Sequence, residues 1–511
     1  MISDIFKTTN LPLWAVFVLI LSAGFLANLF LNRYKPGLRS IPGPFLASFT
    51  NLWRLIDVAR GRHQDTLINL HRKYKSKLVR IGPNAVSVAD PDAVRIIYGL
   101  KTGFSKTDFY KVQQNLSEGR PLENLFNTLR DDFHAAIRRP VANAYSLTSL
   151  LRYEPFVDTT SQFFLQRLDD LYASTGRVCD LGTWLQYYAF DVIGEMTFSK
   201  RLGFLETAND VGGIIADLEW RLTYFAWCGQ MPFLDKFLVK SPIAVRLVPT
   251  NNVVRFTLGQ VNERLAHPSD RQDFLGIFLK AKEEFPEVVN DRQVTSYSTT
   301  NVFAGSDTTA ISLRSAIYHL LKDPPKLRKL VAEIDEVVGD RDCVQQPISF
   351  AEASKMPYLQ AVIKEAMRIH PAVGLLIERY VPPAGCEIAG TWLPGGTKVG
   401  INPWVLHRNK EVYGQDADVF RPERWLEAEP ERLKVMERSF LAFGSGSRTC
   451  IGRHISMLEM TKVIPQLLWA FEFELENPKA TWDLRNYWFV RQTGLRVFIR
   501  RRKYGLSEQS H

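Results

Sequence analysis

Cysteine is scarce in this chain, with five among 511 residues at Cys179, Cys228, Cys343, Cys386 and Cys450. So few thiols, so widely scattered, exclude a disulfide framework and fit a reducing compartment. Zinc-type spacing is missing as well, because His63, His71, His319, His370, His407 and His454 fall in no His/Cys cluster. There is no Gly-x-Gly-x-x-Gly turn and no P-loop, which removes the usual flavin, nicotinamide and nucleotide cradles. A redox role would therefore need electrons from another protein. The stretch from about Gly61 to Arg500 contains no Ser/Gly-rich linker, repeat or low-complexity tract. Although the length alone suggests roughly three domains, one large domain is the better reading. The bulk composition, 46% hydrophobic and 23% charged, is that of an ordinary globular protein with a sizeable core. A net charge of +10 suits anionic lipid or an acidic donor protein, and equally a solvated surface. The basic run Arg500 to Lys503 reads as a polar tail rather than a nucleic-acid patch.

Charge is absent from Thr8 to Asn32, and the apolar run Leu11 to Leu31 is long enough to cross a bilayer as a helix. A cleaved signal peptide is the rival, but Asp4 and Lys7 precede the run instead of a positive cluster, and the run is longer than a signal core. An uncleaved anchor is expected over residues 1–35. Arg33, Lys35 and Arg39 follow it closely, which places the rest of the chain on the cytosolic face by the positive-inside rule. Pro36-Gly37 and Ile41-Pro42-Gly43-Pro44 then predict a stiff connector. Residues 36–60 are taken as this hinge plus the start of the main domain, which continues over 61–511.

Alternating runs at Lys77–Ile81 and Ala85–Ala89 predict a hairpin through Gly82-Pro83-Asn84. Further strands are expected near Glu387–Leu393, Thr397–Ile401 and Gly494–Ile499. Apolar residues spaced three and four apart predict helices over Leu327–Val338 and Met356–His370, and a longer one from about Asp291 to Leu321. The fold expected is mainly α with a small β part.

Chemistry concentrates in Phe443-Gly444-Ser445-Gly446-Ser447-Arg448-Thr449-Cys450-Ile451-Gly452. This glycine-rich loop presents a cysteine just ahead of a helix-like apolar segment, where free N–H groups and the positive helix end favour a thiolate. The glycines let the backbone fold tightly beneath a flat ligand, and Arg448 is placed to hold an anionic edge. The segment resembles the haem-binding signature Phe-x-x-Gly-x-Arg-x-Cys-x-Gly of the cytochromes P450, with each fixed position filled. Asn51-Leu-Trp-Arg-Leu, Leu70-His-Arg-Lys-Tyr and Arg80-Ile-Gly-Pro-Asn84 are similar to fungal microsomal members of the pisatin demethylase-like kind.

That resemblance implies a P450 fold and roles for particular residues. Cys450 becomes the axial ligand of haem iron, with Phe443, Arg448 and Gly452 in the same cofactor-binding loop. In Ala304-Gly305-Ser306-Asp307-Thr308-Thr309, the small residues would leave room for dioxygen, while Asp307 and Thr308 guide protons to it. An acid beside an alcohol suits relay through water. Taken without the resemblance, the hexapeptide is equally a kinked stretch of helix. Glu365 and Arg368 share a helical face, and with Arg424 of Phe420-Arg-Pro-Glu-Arg-Trp425 they resemble the family's structural network. Arg138 and Arg379 match haem-propionate positions. His134 stands where many relatives have tryptophan. The substrate pocket is expected to draw on Thr300, Phe303 and Ala304, on the stretch from Val373 to Ile377, and on Trp488 and Phe489.

The implied activity is haem-thiolate monooxygenation of a mainly apolar small molecule, as hydroxylation, or as dealkylation or epoxidation where the substrate allows. The setting would be secondary metabolism or detoxification. The cofactors are haem b, O2 and NADPH-derived electrons. The partners are NADPH-cytochrome P450 reductase, with cytochrome b5 as an optional second donor, and no nucleic acid. The location is the endoplasmic reticulum membrane, single-pass. Two rivals share the cysteine: a thiolate-haem isomerase or dehydratase needing no external electrons, and a non-catalytic haem carrier or sensor. The pair Asp307 and Thr308 counts against both.

Overall fold

The computed structural model describes residues 12–114, 116–117, 120–241, 252–269, 271–339 and 346–502. Asp4, Lys7, Leu11, Cys343 and Lys503 lie outside the described residues. Helix α1 (Leu13–Arg33) buries none of its residues, and among the described residues it is the one helix long and apolar enough to cross a membrane. Its C-terminal end is tied down. The side chain of Asn32 donates to the Phe49 carbonyl at 3.0 Å. Arg80, only 2% exposed, donates to the carbonyls of Asn32, Arg33 and Pro83. Setting a buried guanidinium against a helix's last carbonyls satisfies groups that have no partner within the helix and places positive charge at the negative dipole end.

Strands β1 (Leu78–Gly82) and β2 (Ala85–Val88) form the expected hairpin, with Leu78 opposite Val88. Three further strands complete this sheet: β3 (Ser105–Lys106), β4 (Arg379–Tyr380) and β5 (Lys398–Ile401), in the order β1-β2-β5-β4-β3. The region expected as a strand near Glu387–Leu393 is a tight hairpin of Cys386–Ile388 with Thr391–Leu393. The last expected strand covers Arg496–Arg501 and pairs with Phe471–Leu475.

The rest is mainly helical, and a handful of helices position the interior. They are α2 (Asp131–Arg138), α3 (Leu181–Phe198), α4 (Ile214–Cys228), α5 (Asp291–Lys322), α6 (Pro357–Ile369) and α7 (Arg453–Ala470). Helix α5 runs through the centre, packed against α3, α6 and α7. Its sequence is rich in hydroxyl residues, which ought to resist burial. They are accommodated because Thr295, Ser298, Thr300, Ser306, Thr308 and Ser312 each donate to the carbonyl four residues back. The helix thus satisfies these six hydroxyls itself and stays unbroken over 32 residues.

Helix α6 carries Glu365 and Arg368, both 0% exposed. Arg368 grips Glu365 with two N–H groups at 2.8 and 2.7 Å. Arg424 adds a contact at 2.9 Å, as does the indole N–H of Trp425 at 2.9 Å. Burial pushes the Glu365 carboxyl up, but the two guanidiniums and the Arg421 N–H outweigh it and hold the group below its ordinary range. Arg368 also donates to the carbonyls of His407 and Ala417, and His407 accepts from the Leu441 N–H at 2.8 Å while its other ring nitrogen faces the Arg368 carbonyl. That partner set requires a neutral imidazole protonated on Nδ1.

Two outcomes follow. Glu365→Ala leaves the buried Arg368 guanidinium uncompensated and Arg424 with Asp416 as its remaining carboxylate, a loss of about 3–5 kcal/mol, and is expected to abolish folded, haem-loaded protein; normal yield and haem content would contradict it. Burial lowers His370 and His407 to about 3 and His319 to about 4, from 6.5. Since the unfolded chain takes up these protons first, stability is full above pH 6.5 and falls between pH 6.5 and about 3. Unfolding midpoints measured across that range test this, and a flat profile would refute it.

Candidate active site

The loop before α7 is shaped by one glycine above the others. Gly446 has φ of +68°, and a Cβ there would sit 1.7 Å from the Tyr98 carbonyl oxygen, so a side chain is impossible without moving backbone. The loop closes where the Phe443 carbonyl accepts from the Cys450 N–H at 2.9 Å and from the Thr449 hydroxyl at 3.1 Å. Cys450 is exposed, but its free surface faces an interior cavity. The N–H groups of Gly452 and Arg453 point at its sulfur. The expected lowering of the thiol pKa does not hold for the protein alone. Burial pushes it up, and the two N–H donors with Arg138 and Arg453 only partly oppose that. Desolvation acts on the whole charge, whereas helix-end donors supply partial charges; a coordinated cation is what ionises such a thiol outright.

The cavity has a volume of about 810 Å³. Helix α5 contributes Thr300, Phe303, Ala304 and Thr308 to its wall, and Val373 and Ile377 border it from the segment after α6. Trp488 and Phe489 enter from the hairpin of β6 (Asp483–Tyr487) and β7 (Phe489–Thr493). Trp488 is the single residue between the paired Tyr487 and Phe489. Its φ of +78° is unfavourable for a bulky residue by about 1–3 kcal/mol. Packing offsets this, for the indole lies 5.5–6.0 Å from the rings of Phe109, Tyr110, Phe126 and Phe225. Thr300, Phe303, Ala304, Val373, Ile377, Trp488 and Phe489 therefore border one space, whereas Leu375 and Leu376 of the expected stretch are buried away from it.

Asp307 and Gly305 do not face that space. Asp307 is 3% exposed and turned toward α3, where its carboxylate accepts from the Gln186 amide at 2.5 Å. Gln186 in turn accepts from Arg314 at 2.9 Å. Burial raises the Asp307 carboxyl pKa against these two neighbours. A Cβ on Gly305 would lie 3.0 Å from Ile193 of α3, so this glycine serves helix packing and leaves no room at the cavity. Ala304 and Thr308 are the small residues that do face it, four apart on one side of α5. Sequence reading missed Gln186 and Arg314. An arginine inside the apolar stretch Ala310 to Leu321 was the available signal.

One edge of the cavity is basic. Arg138 donates to the Thr449 carbonyl at 3.3 Å, Arg448 holds Asp131 at 2.6 Å, and Arg379 lies over the Tyr98 ring at 5.3 Å. His134 is lowered to about 3 by burial first, then by Arg448, Lys106 and Arg138, and is a neutral imidazole. Lys106, unnoticed in the sequence, lies at the same edge. Acid is in short supply there. Asp131 is 64% exposed, and Glu378 is already paired with Arg54 at 2.9 Å and Thr107 at 2.8 Å. A cysteine facing the cavity, a small-residue helix wall and a surplus of cations at one edge fit a flat dianion with a thiolate-seeking metal.

The same conclusion comes from likeness to known proteins. A family model described as Cytochrome P450 matches residues 42–496. Cytochrome P450 monooxygenase cicH of Emericella nidulans is 41% identical over 495 residues, covering 96% of this chain and 99% of the relative. A cytochrome P450 monooxygenase of Aspergillus terreus is 41% identical over 459 residues, covering 88% and 93%. Cytochrome P450 monooxygenase mpaDE of Penicillium brevicompactum is 38% identical over 473 residues, covering 91% of this chain and 55% of that longer protein.

Proposed function

The chain belongs to the cytochrome P450 family, and on that premise we propose that it inserts one oxygen atom of O2 into a mainly apolar small molecule. As a P450 monooxygenase it carries haem b as a haem-thiolate cofactor and takes electrons from a redox partner protein. When bound, haem supplies the activation of dioxygen and the transfer of one oxygen atom. The observation that carries the reading is that Cys450, Thr308 and the aromatic hairpin tip share one cavity.

Cys450 would hold the cofactor's iron, presented by the loop that closes on the Phe443 carbonyl and by the N–H groups of Gly452 and Arg453. Arg138, Arg379, Arg448 and neutral His134 would hold the cofactor's carboxylates through charge and N–H donation. Glu365, Arg368 and Arg424 do not reach the cavity and act structurally. Thr308 works at the reacting face. Its hydroxyl now donates to the Ala304 carbonyl at 2.8 Å, and by rotating it would orient a proton-bearing water in the cavity. Asp307 supplies that proton after turning from Gln186, whose amide holds it on the far side of α5. Phe303, Val373, Ile377, Trp488 and Phe489 exclude water and grip the substrate's apolar body, with the Thr300 side chain as a polar mark.

The reaction is hydroxylation, with dealkylation or epoxidation where the substrate permits, in fungal secondary metabolism or detoxification. NADPH-cytochrome P450 reductase is the donor proposed, and cytochrome b5 a second. Residues 1–35 anchor the protein in the endoplasmic reticulum membrane and 36–60 lead into the catalytic domain of 61–511, which faces the cytosol. The contacts of Arg80 and Phe49 with the end of α1 support an anchor that stays attached.

The reduced, carbon-monoxide-bound difference spectrum is expected to show a strongly red-shifted Soret band that Cys450→Ala loses. Folded wild-type protein without that band would overturn the ligand assignment. Thr308→Ala is expected to keep its haem while product per NADPH falls at least about tenfold, the electrons appearing as hydrogen peroxide. Unchanged coupling would remove Thr308 from proton delivery.

A further inference from the structure

Away from the basic edge, five charged residues border the cavity: Arg221 of α4, Asp235 and Lys240 after it, and Asp291 and Arg292 at the start of α5. The two acids are engaged. Asp235 holds Lys240 at 2.6 Å and accepts from the Tyr224 hydroxyl at 2.6 Å, and Asp291 pairs with Lys282 at 2.6 Å. Arg221 is placed differently. Its Nε donates to the two oxygens of Asp217, one turn back on α4, at 3.1 and 3.0 Å, and Asp217 is steadied in turn by the Asn252 N–H at 3.1 Å. Among the described residues the two terminal nitrogens of Arg221 meet no acceptor. The guanidinium is therefore aimed from its Nε side and open at its far edge, on a side chain that is only 19% exposed. Open N–H donors on a half-buried arginine at a cavity wall call for an acceptor from the molecule that fills the cavity. The parallel pair of N–H groups at a guanidinium edge matches the two oxygens of a carboxylate.

We propose that Arg221 binds a carboxylate of the substrate, so that the molecule this enzyme oxidises is an apolar body ending in an acid group. This rests on the haem-thiolate reading and names the substrate class for it. Arg221 lies four residues before Phe225, one turn along the same face of α4. Phe225 in turn is 5.6 Å from the Trp488 ring and shares a hydrophobic cluster with Phe303 and Phe489. An apolar body laid against these rings brings its far end to the guanidinium, while its other end points toward Thr308 and Cys450. Cations outnumber acids three to two in this part of the lining, which favours an anionic guest over a cationic one. Asp217 takes only the Nε side of Arg221, so the two carboxylates would meet different edges of one guanidinium without competing for the same N–H groups.

The test uses the full-length, detergent-solubilised, haem-loaded protein, with phenylalkanoic acids from 4-phenylbutyrate to 10-phenyldecanoate and their methyl esters as probes. Dissociation constants are read from the ligand-induced shift of the ferric Soret band, and the acid-over-ester preference of each pair is compared between wild type and Arg221→Met. At least one acid is expected to lose about tenfold or more of its affinity in Arg221→Met, with the affinity for its ester kept, and Arg221→Lys is expected to recover part of the loss. An acid-over-ester preference unchanged in Arg221→Met would overturn the proposal, and so would a wild-type protein to which none of the acids binds. If Arg221→Met does not fold, Arg221→Lys decides, because it keeps the charge and loses the fork: a weaker acid beside an unaltered ester supports the contact, and an unaltered acid refutes it. A wild-type protein lacking the thiolate-haem carbon monoxide band would instead sink the underlying reading.

Discussion

A carboxylate with no exposure to water cannot stand alone, and Glu365 is such a group. Arg368, Arg424, the Trp425 indole and the Arg421 N–H all converge on its two oxygens. Each guanidinium then has N–H groups left over, and these reach the carbonyls of His407, Tyr413, Ala417 and Val419. Stretches of chain with little regular hydrogen bonding of their own are thereby pinned to α6. His407 passes the constraint on to Leu441, where the loop that ends at Cys450 begins. The start of the loop that carries Cys450 is thus tied to charge neutralisation at Glu365.

Polarity inside the molecule follows two different rules. In α5 six hydroxyl groups bond back to their own helix while Thr309 and Ser315 bond neighbouring helices, and Thr308 reaches the cavity with its hydroxyl already engaged. At the basic edge no such self-sufficiency exists. Arg379, Arg448 and Lys106 crowd one side of the cavity with too few acids to match them. Hydroxyl donors are satisfied by a nearby carbonyl, while full charges in a dry site need an opposite charge. The first arrangement makes a stable wall and the second an anion site.

The parts of the site legible in the sequence were those whose chemistry is local. The loop from Phe443 to Gly452 is readable because a tight turn, a helix start and a thiol lie within ten residues. The anchor is readable because length and apolarity are all a bilayer demands. Thr300, Phe303, Ala304 and Thr308 follow from helical spacing on α5, once that helix is known to cross the interior. That Asp307 and Gly305 turn away from the cavity was not legible, for the complementary reason. Neighbours in sequence are about 100° apart on a helix, and which of them met the cavity depended on where α3 packed.

Sequence by itself determined that this is a mainly helical P450 with an N-terminal apolar helix, and it singled out the loop that carries Cys450, because those properties rest on composition, period and short motifs. Tertiary structure alone decided that Asp307 is parked on Gln186 and that Lys106 lies buried among arginines. These are matters of burial and of which charges face each other. Both arise from contacts between residues tens to hundreds of positions apart, and no local pattern encodes them.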